Sequence, residues 1–249
     1  MYRVAVFNPH AGSGKTTLSA NLGHALALGG RKVTLMDLDP RGALCDSLGL
    51  FRPPSHGVDQ VLLSGASVES VSLSTREELH LVPPGEQLAQ AVQKEEEGAD
   101  WGRLRQAVSR DIPGRDILIM DCPSSDERLV ANALLAADLA LMPVSPDEAG
   151  AVELPQLLNM LGRFARVRGR ELDYRVVINR MPVRRRLSGP SARFNDLAAG
   201  HLFRQTVCQT DLIAQAGSAG RTVFEYRPGC RAAQDFRKLA TEWLSSVGY

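Results

Sequence analysis

Val4-Ala5-Val6-Phe7-Asn8-Pro9-His10-Ala11-Gly12-Ser13-Gly14-Lys15-Thr16-Thr17 is the stretch on which the reading of this chain turns. An apolar run suited to a buried strand ends in a loop of small residues, and a helical pattern opens at about Lys15. Strand, small-residue loop and helix is the context in which a phosphate-binding loop works. Glycines at 12 and 14 let the backbone curl so that successive N–H groups point inward at phosphate oxygens, aided by the helix N-terminus. Lys15 is expected to reach the β- and γ-phosphates of a nucleotide, and the Thr16 hydroxyl to bind Mg²⁺. The strict pattern G-x-x-x-x-G-K-[ST] is not met, because Pro9 stands where its first glycine belongs.

Outward from this loop, short aliphatic runs alternate with longer helical patterns. Val4–Phe7, Lys32–Met36, Leu79–Val82, Asp116–Met120, Leu139–Val144 and Tyr174–Ile178 read as strands, and their near-continuous apolar character suits a parallel sheet covered on both faces. Lys15–Leu28, Asp126–Ala136, Ala149–Val167 and Ala232–Ser246 carry apolar residues at three-to-four-residue spacing. The expected fold is α/β, a doubly wound, mostly parallel sheet with helices on both faces. The expected loops are Phe51–His56, Lys94–Asp100 and Pro182–Pro190. None is long enough to demand a boundary, so residues 1–249 are read as one domain.

The formal net charge of +1 conceals a polarity: residues 160–249 carry 16 Lys+Arg against 7 Asp+Glu, whereas residues 1–159 carry 13 against 21. Fifteen of the sixteen C-terminal cations are arginine, which pairs bidentately with phosphate and so suits a polyanion surface. Solvated helix faces would account for the same charge. Cys45, Cys122, Cys208 and Cys230 are scattered without a C-x-x-C pair, which argues against a disulfide framework, a zinc knot or an iron–sulfur scaffold. No run of about 18 residues is apolar enough to span a bilayer, and the N-terminus leads straight into a strand, so a cytoplasmic protein is expected.

Three further blocks stand at strand ends. These are Val33-Thr34-Leu35-Met36-Asp37-Leu38-Asp39-Pro40-Arg41-Gly42, Ile117-Leu118-Ile119-Met120-Asp121-Cys122-Pro123-Ser124, and Val176-Val177-Ile178-Asn179-Arg180. Open α/β sheets gather ligand groups at the carboxyl ends of their strands, so the blocks are expected to form one site. Asp37 and Asp39 are two apart and would point the same way on an extended segment. Asn179 can offer a donor and an acceptor to a base edge, although asparagine at a strand end is also a common turn former.

With its glycine loop, these blocks and the segment Arg221–Tyr226, nearly the whole chain resembles the ParA/MinD family of P-loop ATPases. The resemblance implies ATP and Mg²⁺ as cofactors, with His10, Ala11, Gly12, Ser13, Gly14, Lys15, Thr16 and Thr17 around the phosphates and Asn179 and Arg180 at the base. It implies that Thr16, Asp37 and Asp121 serve the metal, and that Lys15 and Asp39 are catalytic, Asp39 positioning the attacking water. It also implies a homodimer when ATP is bound and a partner that stimulates slow hydrolysis. One departure stands out: His10 occupies the place of the family's signature lysine, which reaches across the dimer to the partner's phosphates. Histidine is shorter and mostly neutral above its ordinary pKa of about 6.5. Arg41, where the family has glutamine, and Arg128 are candidate replacement cations.

Branches of the family differ in what the ATP state recognises. The last helix has only Arg237 and Lys238 as cations, offset by Asp235 and Glu242, which disfavours membrane docking of the MinD kind. A ParA-like protein would bind DNA non-specifically through basic side chains in its C-terminal third, here Arg163, Arg166, Arg168, Arg170, Arg184, Arg185 and Arg186. The leading expectation is a nucleoid-associated ATPase that positions a plasmid, chromosome origin, protein cluster or microcompartment through an activator or cargo-adaptor protein. The alternative is an accessory ATPase that docks on a protein complex, such as cellulose-synthesis machinery, without binding DNA. A small-molecule kinase or synthetase on the same scaffold lacks an acceptor-substrate signature.

Overall fold

The computed structural model describes residues 1–93, 102–109, 114–182 and 192–248. The expected loop Lys94–Asp100 and residues 183–190 of the expected loop Pro182–Pro190, with Arg184, Arg185 and Arg186, lie outside them.

The strands β1 (Tyr2–Val6), β2 (Val33–Asp37), β3 (Leu73–Arg76), β4 (Leu79–Val82), β5 (Ile117–Asp121), β6 (Leu139–Val144) and β7 (Asp173–Ile178) form one sheet. Its order is β3-β4-β2-β5-β1-β6-β7. Every pairing is parallel except that of β3 with β4. β5 lies between β1 and β2 with Asp121 in register with both Val6 and Asp37, so three strands end together. The chain crosses from β1 to β2 over the place β5 later fills, and the crevice at that switch point is where open α/β sheets bind ligands.

Successive side chains of a strand face opposite sides, and the core divides accordingly. Ala5, Phe7, Met36, Leu118, Met120, Ala140, Met142 and Ile178 face one side. There they pack against α3 (Val58–Ser64), α4 (Leu88–Gln93), α5 (Arg103–Ser109), α6 (Glu127–Ala136), α7 (Glu148–Arg168) and α8 (Ala192–Leu197). Val4, Val6, Val33, Leu35, Ile117, Ile119, Leu139 and Leu141 face the other side. That layer is covered by α1 (Lys15–Leu28), α2 (Ala43–Ser47), α9 (Asp211–Ser218), α10 (Val223–Tyr226) and α11 (Arg231–Val247). With both faces covered, the inner strands β5 and β6 are apolar along almost their whole length, which is why their pattern is continuous rather than alternating.

Capping sets where the site-bearing helices begin. Asp126 starts α6 by accepting from the N–H groups of Arg128 and Leu129, and Asp147 starts α7 by accepting from Gly150. α1 differs, because its cap is Gly14 in a left-handed conformation and no side chain bonds its first turn. Leu79–Val82, Leu139–Val144 and Lys15–Leu28 coincide with the expected bounds, and the other expected strands and helices differ by a residue or two at an end. The antiparallel edge strand β3 and the short helices were not anticipated. Among the described residues, no helix is long and apolar enough to cross a membrane.

Candidate functional site

The loop after β1 is anchored at its root by Asn8, a buried side chain whose Nδ2 donates to Pro143 O at 2.9 Å while its Oδ1 accepts from His10 N at 2.8 Å. Beyond it, Gly12 (φ 78°) and Gly14 (φ 96°) adopt left-handed backbone, the conformation that glycine enters without steric cost. A Cβ on Gly14 would also stand 2.1 Å from Asn179 Nδ2. Ser13 Oγ is buried and has no hydrogen-bond partner among the described residues. An uncapped helix start, a glycine-lined turn and an orphaned hydroxyl form a cradle that fits a polyphosphate.

Lys15 is buried at the floor of the cradle, where Nζ donates to Ser124 Oγ (2.7 Å) and to His10 O (3.3 Å). Burial lowers its pKa, opposed by the charges of Asp121 and Asp39. Thr16 Oγ1 and Ser19 Oγ donate to the two oxygens of Asp121 at 2.7 and 2.8 Å. Burial pushes the Asp121 carboxyl up to about 6 against those bonds and the Lys15 charge. Asp37 is pushed up to about 8, by burial first and by neighbouring Asp121 second. Its oxygens accept from the N–H groups of Asp39, Leu44 and Cys45, so in this structure it also fixes the start of α2.

Thr16 and Asp121 offer hard oxygen donors beside the phosphate cradle, a set that fits Mg²⁺. Among the described residues no group of three or more His, Cys, Asp and Glu could hold a metal by itself. Mg²⁺ keeps waters and shares itself between one or two carboxylates and substrate phosphates, which one aspartate and one threonine beside a phosphate cradle can serve.

Asp39 faces the same crevice from the end of β2 and is clasped by Arg41. Arg41 Nε lies 3.0 and 3.2 Å from the two Asp39 oxygens, and Nη2 lies 2.6 Å from Oδ2. Burial alone would raise the Asp39 carboxyl, but the Arg41 bonds and the Lys15 charge leave it below its ordinary value. Exposed His10 brings Nδ1 to 2.5 Å from Glu153 Oε1 on α7, a close approach without hydrogen-bond alignment, since that oxygen is buried with no hydrogen-bond partner among the described residues. Asn179 Nδ2 donates to Ser13 O at 2.9 Å and its Oδ1 accepts from Arg180 N, so here the amide ties the tip of β7 to the phosphate loop instead of standing free for a base. Arg180, exposed and left-handed at φ 56°, brings its Nη2 near Gly12. Ala11 is exposed and Thr17 half-buried.

The basic residues gather elsewhere. Arg163 and Arg166 are exposed on the C-terminal half of α7, Arg163 lying 3.8 Å from Glu127, and Arg170 is exposed just beyond the helix. Arg168 departs from the expectation of a surface contact: half-buried, it donates through Nη1 to Leu134 O, and burial lowers its pKa. Sequence reasoning passed over Asn8, Ser19, Ser124 and Glu153. Ser19 lies one helical turn after Thr16, a signal that could have found it; Asn8 and Glu153 acquire their roles only through tertiary contact.

Residues 1–174 match the family described as AAA domain. Over 244 residues the chain is 29% identical to the sporulation initiation inhibitor protein Soj of Bacillus subtilis (strain 168), covering 96% of each. It is 30% identical over 250 residues to the chromosome partitioning protein ParA of Caulobacter vibrioides (strain NA1000 / CB15N), covering 97% of this chain and 93% of that one. In three dimensions it superposes on a Cyanothece McdA variant in complex with ATP, with a TM-score of 0.85 over 98% of this chain and 96% of that one; at 19% identity this likeness speaks for the fold alone. A phosphate cradle, a strand-tip aspartate bonded to the loop threonine, and similarity along almost the whole length lead to one conclusion: the chain belongs to the ParA/MinD family of P-loop ATPases.

Proposed function

We propose that the chain is a ParA-like positioning ATPase that binds ATP with Mg²⁺, dimerises in that state, and then holds DNA non-specifically until hydrolysis, stimulated by an activator or cargo adaptor, releases it. The observation that carries the nucleotide half is the convergence of Lys15, Thr16, Asp37, Asp39 and Asp121 on the crevice beside an uncapped α1. Backbone N–H groups from Gly12 to Thr16, with Lys15, bind the phosphates, while Thr16 and Asp121 hold the metal region. Mg²⁺ neutralises charge on the phosphate oxygens. Asp39 orients the attacking water. Asn179, released from Ser13 O, and Arg180 would turn to the base when nucleotide enters, and Arg163, Arg166 and Arg170, with Arg184, Arg185 and Arg186, contact DNA phosphates. Such a protein resides in the cytoplasm on the nucleoid, and its 249 residues act as one unit.

The test is light scattering after size exclusion, with DNA retention, for the chain alone, with ADP, and with a non-hydrolysable ATP analogue plus Mg²⁺. Dimerisation and DNA retention with the analogue only are the expected results; a monomer in every state, or DNA binding indifferent to nucleotide, would refute the reading. A second reading, an accessory ATPase that docks on a protein complex, is favoured by one observation: His10, in the place of a permanent cation, is engaged by Glu153 of its own chain. Unchanged DNA retention in an Arg184→Ala/Arg185→Ala/Arg186→Ala variant would turn the balance toward it.

A further inference from the structure

Asp39 is held in a way that conflicts with its proposed task. Among the described residues its carboxylate receives three N–H donors, all from Arg41: N (3.0 Å) on Oδ1, Nη2 (2.6 Å) on Oδ2, and Nε shared between Oδ1 (3.0 Å) and Oδ2 (3.2 Å). A carboxylate offers about four lone-pair sites, so little capacity is left for a water. The two partners differ in exposure, the Asp39 side chain at 8% and that of Arg41 at 69%. The carboxylate is thus part of the crevice floor, while the guanidinium reaches it from the solvent side. No other contact of the Arg41 side chain competes with this one among the described residues. Lys15 lies close enough to feel both charges, so the pair stands next to the phosphate cradle.

We propose that Arg41 is a positioning residue that restrains hydrolysis: in the resting chain its guanidinium clasps Asp39, and Asp39 can orient a water only after Arg41 lets go. This rests on the reading of Asp39 as the water-positioning residue. A bound polyphosphate, for which the adjacent loop is shaped, is the anion that competes for the guanidinium. An ion pair with one exposed partner is weak enough to be exchanged and strong enough to slow a step by several-fold. Bidentate geometry matters as well as charge, since a lysine ammonium cannot reproduce the planar fork.

The experiment is steady-state phosphate release by the full chain at varied Mg-ATP, for wild type, Arg41→Gln, Arg41→Lys and Asp39→Asn, with thermal melting of each. The clasp predicts that Arg41→Gln raises kcat by about two- to fivefold with KM for ATP changed by less than about twofold, and that Arg41→Lys moves in the same direction. A lowered kcat in Arg41→Gln that Arg41→Lys restores to the wild-type rate would show Arg41 to be a charge that aids hydrolysis, and would overturn the proposal. An unchanged kcat in both Arg41 variants, with Asp39→Asn inactive, would overturn it too. Wild-type turnover in Asp39→Asn would instead overturn the reading of Asp39 beneath it, and so separates the two failures. If Arg41→Gln fails to melt cooperatively, Arg41→Lys carries the same test.

Discussion

Gly14 has two constraints that no other residue type meets. Its backbone is left-handed at φ 96°, and a Cβ would stand 2.1 Å from Asn179 Nδ2, the group that ties β7 to Ser13. Strained backbone costs about 1–3 kcal/mol by itself, and the clash would also push Asn179 off the loop. Gly14→Ala is therefore expected to weaken ATP binding by on the order of a hundredfold, measured by titration calorimetry, while the melting temperature falls by only a few degrees. Near-wild-type affinity would mean that the loop does not hold phosphate in this conformation. Lys15 is tested differently. Its Nζ spends its bonds on Ser124 and His10, neutral groups that a phosphate outcompetes. Lys15→Ala should abolish detectable ATP binding by the same calorimetry, whereas Asp39→Ala should keep binding and lose phosphate release. Retained tight binding in the lysine variant would exclude the loop as the phosphate site.

At the scale of elements, the seam between α1 and α10 holds a buried titratable group. His24 of α1 pairs through Nδ1 with Thr222 Oγ1 at 2.7 Å and meets Phe224 edge-on with ring centroids 5.5 Å apart. Burial holds its pKa below the ordinary value, partly opposed by Glu225. The unfolded chain then binds this proton more tightly than the folded one. The stability contributed by neutral His24 is present above the unfolded pKa of about 6.5 and is lost as pH falls from there through the lowered folded value. Urea midpoints should decline between about pH 7 and pH 5, and His24→Gln should flatten that decline; an equal slope in the variant would assign the titration elsewhere. The elements that sequence reasoning reached are those with long periodic patterns, such as α7 and α11, or continuous apolar runs, such as β5 and β6. β3 escaped because Leu73-Ser74-Thr75-Arg76 has one apolar residue and stands at a half-solvated edge, where burial imposes no pattern. α2 and α10 are five and four residues long, too short for a helical period to declare itself. The site divides in the same way. Lys15, Thr16 and Asp121 sit in compact motifs and were legible, whereas the partners that hold the loop, Asn8 and Glu153, owe their positions to β6 and α7 packing beside it.

Across the whole molecule, α7 joins two regions of opposite character. Glu153 near its start contacts His10 of the phosphate loop, and Arg163 and Arg166 are exposed on its last turns. The helix has 21 residues and spans about 30 Å, with Pro155 interrupting its backbone hydrogen bonding between Glu153 and the arginines. The two regions therefore share one element, and the DNA contact proposed for the arginines is tested on its own. If that surface binds DNA through phosphates, affinity must depend on salt and hardly on sequence. Each phosphate neutralised contributes about −0.9 to the slope of log affinity against log salt. A surface that engages about four phosphates loses on the order of a hundredfold between about 50 and 200 mM salt. Arg163→Ala/Arg166→Ala should lower that slope by about two in the ATP-analogue state, measured by fluorescence anisotropy on duplexes of unrelated sequence. Arg168→Ala should leave it unchanged, because the Arg168 guanidinium is turned toward Leu134 O. An equal loss from Arg168→Ala, or a slope unmoved by the double variant, would place the DNA contact on another face.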